Sequence, residues 1–547
     1  MLTLLKAGRV YDPVQGIDGE VRDIWFRDGR IVAEPGSGTV ADETVDVSGS
    51  IVMAGGIDLH SHVGGGKVNI ARTLLPPALR AEVEERLRGP VPTAWETGYE
   101  YARMGYTACF EPALLPVNAR LAHQEMADIP MMDKGGYAML GNDDYLLGLL
   151  AAGTDQARVN DYVAWMLRAT RCLAIKVVNP GGISAFKFNQ RRMDVDESHP
   201  HYGVTPRQIL VALSRAVHEL GVPKPLHVHA SNLGVPGNMN TTLETMAAVE
   251  GLPVHITHIQ FHSYGTEGDR GFSSGAAPIA EFVNANSNVS VDVGQVMFGQ
   301  TCTISADTMM QYLGHPYGSP KRWLCADLEC EAGCGVVPFK YRDQSFVNAL
   351  QWSVGLELFL GVNDPWRIVL TTDHPNGASF TSYPHLIRLL MDRSFRNERL
   401  DTLHPEARAA SHLASMNREY SLYEIAIVTR AGPARLLGLE DRGNLAPGAA
   451  ADIAVYTPRE DWEQTFRDAT LMFKDGRLVV RDGQVVDLTW GSTHWRQTDY
   501  DAGIERLLDD HFQRHYSMNV ANYPVRDEDI EGDGRGRLVA HACRRQN

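Results

Sequence analysis

Two histidines end an apolar, β-branched stretch near the N-terminus. Residues 51–62 read Ile-Val-Met-Ala-Gly-Gly-Ile-Asp-Leu-His-Ser-His, so one residue separates His60 from His62. In an extended chain, side chains two residues apart point to the same side. Two neutral imidazoles placed in this way can share one metal ion. The pair alone is a weak signal, because His-x-His also occurs by chance and on protein surfaces.

Residues of metal-ligand type end three later apolar stretches as well. Residues 226–232 read Leu-His-Val-His-Ala-Ser-Asn, and residues 254–262 contain three more histidines. Residues 368–374 read Ile-Val-Leu-Thr-Thr-Asp-His, in which Asp373 supplies a carboxylate. A single histidine at a strand end is more often a core residue than a ligand. Four separate stretches that end in this way favour a metal centre.

Lys176 lies inside the apolar stretch 173–178, Leu-Ala-Ile-Lys-Val-Val. An ammonium group is unfavourable in such a setting, because burial penalises its charge. Two interpretations follow from the residues alone. Lys176 is either an edge-strand lysine whose amine reaches water, or a neutral amine that reacts with carbon dioxide. The resulting carbamate has two oxygens and can bridge two metal ions.

Short apolar stretches alternate with longer helical patterns through the middle of the chain, which is typical of a parallel α/β fold. Such a fold places polar residues at the strand ends, where a closed (β/α)8 barrel carries its functional groups. An open, doubly wound sheet has the same alternation and is the alternative. The eight predicted strands are 51–58, 106–111, 136–141, 172–178, 225–230, 253–259, 289–294 and 367–373.

Two β-rich segments flank the predicted TIM-like barrel at 53–430. Residues 1–52 and 431–490 contain short strands that turn at Asp-Gly pairs, a hairpin signal. We expect the two segments to combine into one small β-sandwich. Residues 491–547 mix charges with aromatic residues and predict a C-terminal extension that packs on the barrel or on a partner subunit.

Composition and charge narrow the functional class. The 547 residues are 44% hydrophobic and 22% charged, the profile of a soluble globular protein. A formal charge of −16 argues against nucleic acid or an anionic membrane as the main partner. No apolar run approaches the roughly 18 residues that span a bilayer. The polar residues after Leu5 predict that no signal peptide is present.

The seven cysteines form an odd and sparse set, which predicts reduced thiols and a cytoplasmic location. Three of them, Cys325, Cys330 and Cys334, fall in the long gap before the last predicted strand. Their spacing lacks a fourth matching ligand nearby. A loop insertion with reduced thiols is therefore favoured over a zinc or iron–sulfur site.

The order His-x-His, Lys, His, His, Asp on predicted strands one, four, five, six and eight resembles the amidohydrolase superfamily. The resemblance implies two Zn²⁺ ions per chain and a proton-shuttling role for Asp373. His229 is preferred to His227 because His-Ala-x-Asn resembles the family pattern, and His258 is preferred for its place at a strand end. The implied ligands are His60, His62 and Asp373 for one zinc, His229 and His258 for the other, and Lys176 as bridging N6-carboxylysine.

A narrower resemblance rests on less common motifs, among them 178–182 (Val-Asn-Pro-Gly-Gly), 260–265 (Gln-Phe-His-Ser-Tyr-Gly) and 372–377 (Thr-Asp-His-Pro-Asn-Gly). They resemble the A subunits of formylmethanofuran dehydrogenases and of bacterial formyltransferase/hydrolase complexes. The bacterial form is favoured. This resemblance implies a one-carbon enzyme that hydrolyses the N-formyl amide of a formylated furan-amine coenzyme, formylmethanofuran or formylmethylofuran. It also implies a complex with three other subunits, B, C and D.

A second group of residues is predicted to contact the substrate or support the ligands, although core packing or helix capping explains each as well. This group is Lys67, Asn69, Asn232, His262, Tyr264 and Gln295. Two alternative functions stay open: another cyclic-amide or N-acyl amino acid amidohydrolase, and a non-catalytic scaffold subunit. Redox catalysis by this chain finds no support, because the sequence has neither a cysteine-rich cluster motif nor a nucleotide-binding glycine loop.

Overall fold

Eight parallel strands form a barrel in the computed structural model, which describes residues 1–36, 38–75, 91–326, 334–532 and 534–545. Neighbours in the sheet follow chain order. An isolated bridge between Ser61 and His374 joins the last strand to the first. This closure confirms the barrel and rules out the open sheet. The barrel strands are β1 (Gly56–Asp58), β2 (Tyr106–Leu114), β3 (Asp133–Leu140), β4 (Ala174–Val178), β5 (Leu226–His229), β6 (Val254–Ile256), β7 (Val289–Asp292) and β8 (Ile368–Val369).

Amphipathic helices surround the barrel. Pro206–Glu219 is representative: Thr205 caps it in a capping box, proline occupies its first turn, and it buries Ile209 and Leu213. The longer helices of the barrel region are Gly66–Leu74, Ala94–Arg103, Ala119–Ala127, Asp144–Ala151, Gln156–Thr170, Pro206–Glu219, Asn238–Ala248, Ala276–Ala285, Phe346–Gly361, Tyr383–Met391 and Arg393–Asp401. Shorter helices are Gly182–Phe186, Thr308–Gly314, Pro405–Ala410, Leu422–Ala426, Gly432–Leu437 and Trp462–Arg467.

The predicted single strand at 51–58 is wrong, because the chain changes sheets at Gly55. Ile51–Ala54 belongs to a second sheet, and only Gly56–Asp58 is in the barrel. The Gly55 N–H donates to a carbonyl of the second sheet, at Asp452 (2.9 Å). A Cβ on Gly55 would lie 2.2 Å from the Thr107 side chain, so only glycine fits at this crossing.

The second sheet combines strands from both segments that flank the barrel, as the sequence predicted for the small β domain. Its own apolar core includes Val10, Phe26, Ile453 and Phe473. The residue limits of the domains remain a prediction. The strands in spatial order are Gln484–Val485, Arg477–Arg481, Leu471–Lys474, Ile453–Tyr456, Ile51–Ala54, Leu2–Asp12, Ile17–Arg27 and Arg30–Val32, with Glu43–Asp46 also beside Leu2–Asp12.

The C-terminal segment extends the barrel sheet on its outer side. Ser492–Gln497 pairs in parallel with Arg537–Ala542, and Thr493 pairs with Lys134 of β3. The helices Gly503–His515 and Asp527–Glu531 connect these strands. Across the described ranges, no helix combines the length and apolar character needed to cross a membrane.

A long insertion between β7 and β8, which we call the cover (residues 299–341), contains a three-stranded antiparallel sheet. Its strands are Gly299–Ser305, Leu324–Ala326 and Cys334–Tyr341, and the helix Thr308–Gly314 follows the first. Cys334 is buried, whereas Cys330 lies outside the described residues. Cys325 lies in the edge strand Leu324–Ala326.

A buried ionic network at Asp133 connects the barrel, the second sheet and the C-terminal segment. Lys474 Nζ lies 3.1 Å from Asp133 Oδ2 and 2.9 Å from Asp452 Oδ2. Arg442 Nε lies 2.6 Å from Asp133 Oδ2, and the Ser492 N–H donates to Asp133 Oδ1 (2.8 Å). Burial alone would raise the pKa of Asp133, but Lys474 and Arg442 hold it well below its usual range. The barrel, the second sheet and the C-terminal segment are therefore connected through the Asp133 carboxylate.

We expect K474M to destabilise the chain by about 3–5 kcal/mol, because removing one partner of a buried ion pair leaves uncompensated charge on Asp133 and Asp452. The midpoint of thermal unfolding measures the loss. R477A is the matched control, since Arg477 pairs with Asp487 on the exposed face of the same hairpin. R477A should lower the free energy of unfolding by about 0–1 kcal/mol. Equal midpoints for the two variants would contradict this account of the network.

Candidate metal centre

All six predicted ligand residues are buried at the C-terminal end of the barrel. The first strand ends at Asp58, whose carboxylate accepts the His60 N–H (3.0 Å) and so helps turn the chain toward the barrel axis. The His62 N–H donates to the His374 carbonyl (2.8 Å) at the seam of the barrel. The other ligand residues are Lys176 within β4, His229 at the end of β5, His258 just after β6, and Asp373 just after β8.

His60, His62 and Asp373 form a group that could hold one metal ion. Asp373 Oδ1 lies 2.8 Å from His60 Nε2 and 3.5 Å from His62 Nε2. Zinc bonds of about 2.0–2.1 Å in a tetrahedral site place neighbouring ligand atoms about 3.3 Å apart. The three side chains therefore have the spacing of a zinc site.

A second group combines His229 and His258 with His262. The ring centroid of His229 lies 4.6 Å from that of His258, and the His262 centroid lies 5.2 Å from both. Burial lowers the pKa of His258 and of His262 well below the usual value. Both rings are therefore neutral, as metal binding requires. His262, which the sequence suggested as a substrate contact, lies among the ligand candidates.

Lys176 occupies an interior strand, with β3 on one side and β5 on the other. Its side chain is only 2% exposed, so the edge-strand interpretation is wrong. Burial lowers the pKa of Lys176 to about 7, although Asp292 and Asp373 oppose the shift. An appreciable fraction of this amine is therefore neutral near pH 7, which is the form that reacts with carbon dioxide.

The sequence analysis missed Glu111 of β2, which lies behind His62. Glu111 Oε1 lies 2.8 Å from His62 Nδ1, and Oε2 accepts the N–H groups of Val63 (2.9 Å) and Gly64 (3.3 Å). Burial would raise the pKa of Glu111, but His62 and Lys67 lower it to about 2. The ionised carboxylate fixes the His62 ring with Nε2 toward Asp373.

Asp292, at the end of β7, was also missed and connects several ligands. Its Oδ2 lies 3.3 Å from His60 Nδ1, and its Oδ1 accepts the His258 N–H (2.8 Å) and the Thr371 hydroxyl (2.9 Å). His227, the histidine not chosen on β5, joins Asp292 and His60 in a third group of possible ligands. His227 and Asp292 contact His60 at its Nδ1, on the ring edge away from Asp373.

The other predicted substrate contacts hydrogen-bond within the protein, and the described lining of the cavity above the ligands does not include them. The bonds run from Lys67 Nζ to the Ala113 carbonyl (2.7 Å), from Asn69 to Glu125 (2.9 Å), from Asn232 to Asp194 (2.7 Å), from the Tyr264 hydroxyl to Gln260 (3.3 Å), and from Gln295 to the Val296 (2.9 Å) and Trp352 (3.0 Å) carbonyls. Their contact with a substrate stays a prediction.

A cavity of about 660 Å³ lies between the ligand residues and the cover, in the size range of small-molecule sites. Its floor includes His60, Lys176 and Asp373. At the outer end, Tyr317 is 75% exposed and Arg342 is exposed, so the cavity reaches the surface. The intermediate walls are largely apolar and include Leu233, Phe261, Ile304, Val337 and Phe339.

Comparison with known proteins agrees with this geometry over the whole chain. A family model described as "Amidohydrolase family" matches residues 43–487. The A component of the formyltransferase/hydrolase complex Fhc from Methylorubrum extorquens is 44% identical, with 100% of both chains covered. Protein FwdA from Methanocaldococcus jannaschii is 43% identical, and the match covers 96% of this chain and 97% of FwdA.

A solved structure matches equally well. The crystal structure of the formyltransferase/hydrolase complex FhcABCD from Methylorubrum extorquens, in complex with methylofuran, contains a chain with a TM-score of 0.94 and 44% identity. The match covers 100% of both chains. The family match, the sequence identity and the barrel lead to one conclusion. This chain is a member of the amidohydrolase family, in the group that contains FwdA and the A component of Fhc.

Proposed function

We propose that this chain is the hydrolytic subunit of a formyltransferase/hydrolase complex. It cleaves the N-formyl amide of a formylated furan-amine coenzyme to formate and the free amine. The observation that carries the proposal is the set of buried histidines with Lys176 and Asp373 on the floor of a cavity of about 660 Å³. The full-length similarity to a protein crystallised in a complex with methylofuran supports this substrate class and the partner subunits B, C and D.

Two zinc ions are the proposed cofactors. Both ring nitrogens of His262 are buried without a hydrogen-bond partner among the described residues, which fits a side chain at a metal site. His60, His62 and Asp373 would hold one ion, and His229 and His258 the other, with His262 close by. Lys176, as carboxylysine, would bridge them. When bound, such ions polarise a carbonyl group and supply hydroxide near neutral pH.

Asp373 is the proposed catalytic base and acid. Burial would raise its pKa, but the contacts with His60 and His62 hold it well below the usual range, so the carboxylate is ionised. It accepts a proton from the attacking water as the new carbon–oxygen bond forms, and it returns that proton to the amine nitrogen as the carbon–nitrogen bond breaks. The apolar cavity walls exclude bulk water and suit a furan ring.

Arg342 at the outer end of the cavity is a suitable contact for an acidic coenzyme tail, because a guanidinium binds carboxylates through charge-assisted hydrogen bonds. We also propose a cytoplasmic location. Cys109, Cys172, Cys302 and Cys543 are free thiols, in keeping with a reducing compartment.

The substrate class is tested by formate release. We expect the purified chain, loaded with zinc and in the presence of its partner subunits, to release formate from a formylated furan amine. Hydantoin, dihydropyrimidine and an N-acyl amino acid should show no comparable turnover. Preferred turnover of any of these three would replace the proposed substrate, and no turnover of all four would support a scaffold.

D373N tests the proton transfer. The amide keeps an oxygen that can contact a metal but cannot accept the proton, so we expect zinc content near that of the wild type. Formate release should fall by about 10²–10⁴-fold, the usual contribution of a general acid–base group. Metal analysis and steady-state kinetics on the same preparation measure both. Turnover near the wild-type rate would remove Asp373 from this role.

K176A tests the carbamate. We expect the variant to lose bound zinc and activity, and to lose the signal of a carbamate formed from isotopically labelled bicarbonate. Added acetate should restore part of the activity, because it supplies a carboxylate in the space that the side chain vacates. K224A is the matched control, since Lys224 is also fully buried and its pKa is also lowered by burial. A carbamate signal lost in K224A but kept in K176A would contradict the assignment.

A further inference from the structure

Asp307 of the cover is a buried carboxylate with no role in the steps described so far. It precedes the helix Thr308–Gly314 and is 0% exposed. Its Oδ1 accepts the Met310 N–H (3.4 Å), which caps the helix, and an N–H of the Asn179 side chain (3.2 Å). Its Oδ2 points away from these partners, toward the metal-ligand residues.

Asp307 Oδ2 lies beside a ring nitrogen of His229. The two atoms, Oδ2 and Nε2, are 3.3 Å apart. Both are buried, and among the described residues neither has a hydrogen-bond partner of good geometry. A neutral imidazole with its proton on Nε2 donates toward the carboxylate and leaves Nδ1 as the acceptor atom for a metal. Asp307 therefore selects one tautomer of His229.

The same arrangement occurs at two other predicted metal ligands, His62 and His60. Glu111 lies against Nδ1 of His62, and Asp292 lies against Nδ1 of His60. In both cases the opposite ring nitrogen faces Asp373. Partners of this kind orient metal-binding histidines and raise their basicity. Glu111 and Asp292 belong to barrel strands, whereas the partner of His229 comes from the cover.

We propose that Asp307 is a positioning residue that fixes the His229 ring for the second metal and thereby ties the cover to the metal centre. The inference rests on the proposed function, because it takes His229 as a zinc ligand. It has a structural consequence. Ala306, Met310 and Gln311 line the cavity beside Asp307, so the same contact that orients His229 holds this part of the cavity wall in place.

D307N and D307S separate positioning from helix capping. Asparagine and serine are N-cap residues as good as aspartate, so the cover helix keeps its cap in both variants. Neither offers an ionised carboxylate to His229 Nε2. We expect the affinity for the second zinc ion, measured by competition with a metal buffer on the full-length chain, to fall by about 10–100-fold in each variant.

D143N is the matched control. Asp143 is also buried and also caps a helix, accepting the Leu146 N–H (2.9 Å), and its other partner is the Tyr162 hydroxyl rather than a metal-ligand histidine. The zinc affinity of the D143N variant should equal that of the wild type. The absorption spectrum of the cobalt-loaded chain, which reports ligand geometry, should change in D307N and D307S and stay unchanged in D143N.

Wild-type affinity in a folded D307N or D307S variant would overturn the inference while leaving the proposed function intact. An equal loss in D143N would also overturn it, because general destabilisation would then explain the result. A wild-type chain that binds no second zinc ion would be a different outcome. It would remove the two-metal site of the proposed function together with the role of Asp307.

Discussion

Burial of ionisable groups at one end of the barrel is the constraint on which the rest of the structure depends. Taking imidazole, carboxylate and amine groups out of water is unfavourable unless each is neutral, paired or metal-bound. Asp292 is one such paired group, because it contacts His60, the His258 backbone and Thr371 at once. Ligand residues that follow separate strands are thereby held together by one carboxylate.

Much of the architecture could be predicted, because local sequence patterns determine which segments form strands and helices. Each of the eight predicted stretches overlaps a barrel strand, and strand-end histidines predicted the ligand cluster. Local sequence patterns do not show where the chain passes from one sheet to another. Residues 51–58 read as one strand, yet Gly55 divides them between two sheets. That division depends on Thr107, which is distant in sequence and adjacent in space.

The supporting carboxylates could be predicted only in part, for a related reason. Glu111 and Asp292 interrupt apolar strands, and a buried carboxylate requires a partner, so that signal was present in the sequence. Asp307 gave no such signal, because it follows a strand of the cover at an ordinary helix cap. Its contact with His229 exists only once the cover lies over the barrel. Lys67 was predicted to contact the substrate or support the ligands, and its amine donates to the Ala113 carbonyl.

The central claim is that ligands from five strands hold two metal ions bridged by a carboxylated lysine. A crystal structure of the zinc-loaded chain, with anomalous scattering measured at the zinc edge, tests it most directly. The account predicts two anomalous peaks, one beside His60 and His62 and one beside His229 and His258, with density for a carboxylated Lys176 that reaches both. A single peak, or a Lys176 side chain that ends at its amine, would contradict it.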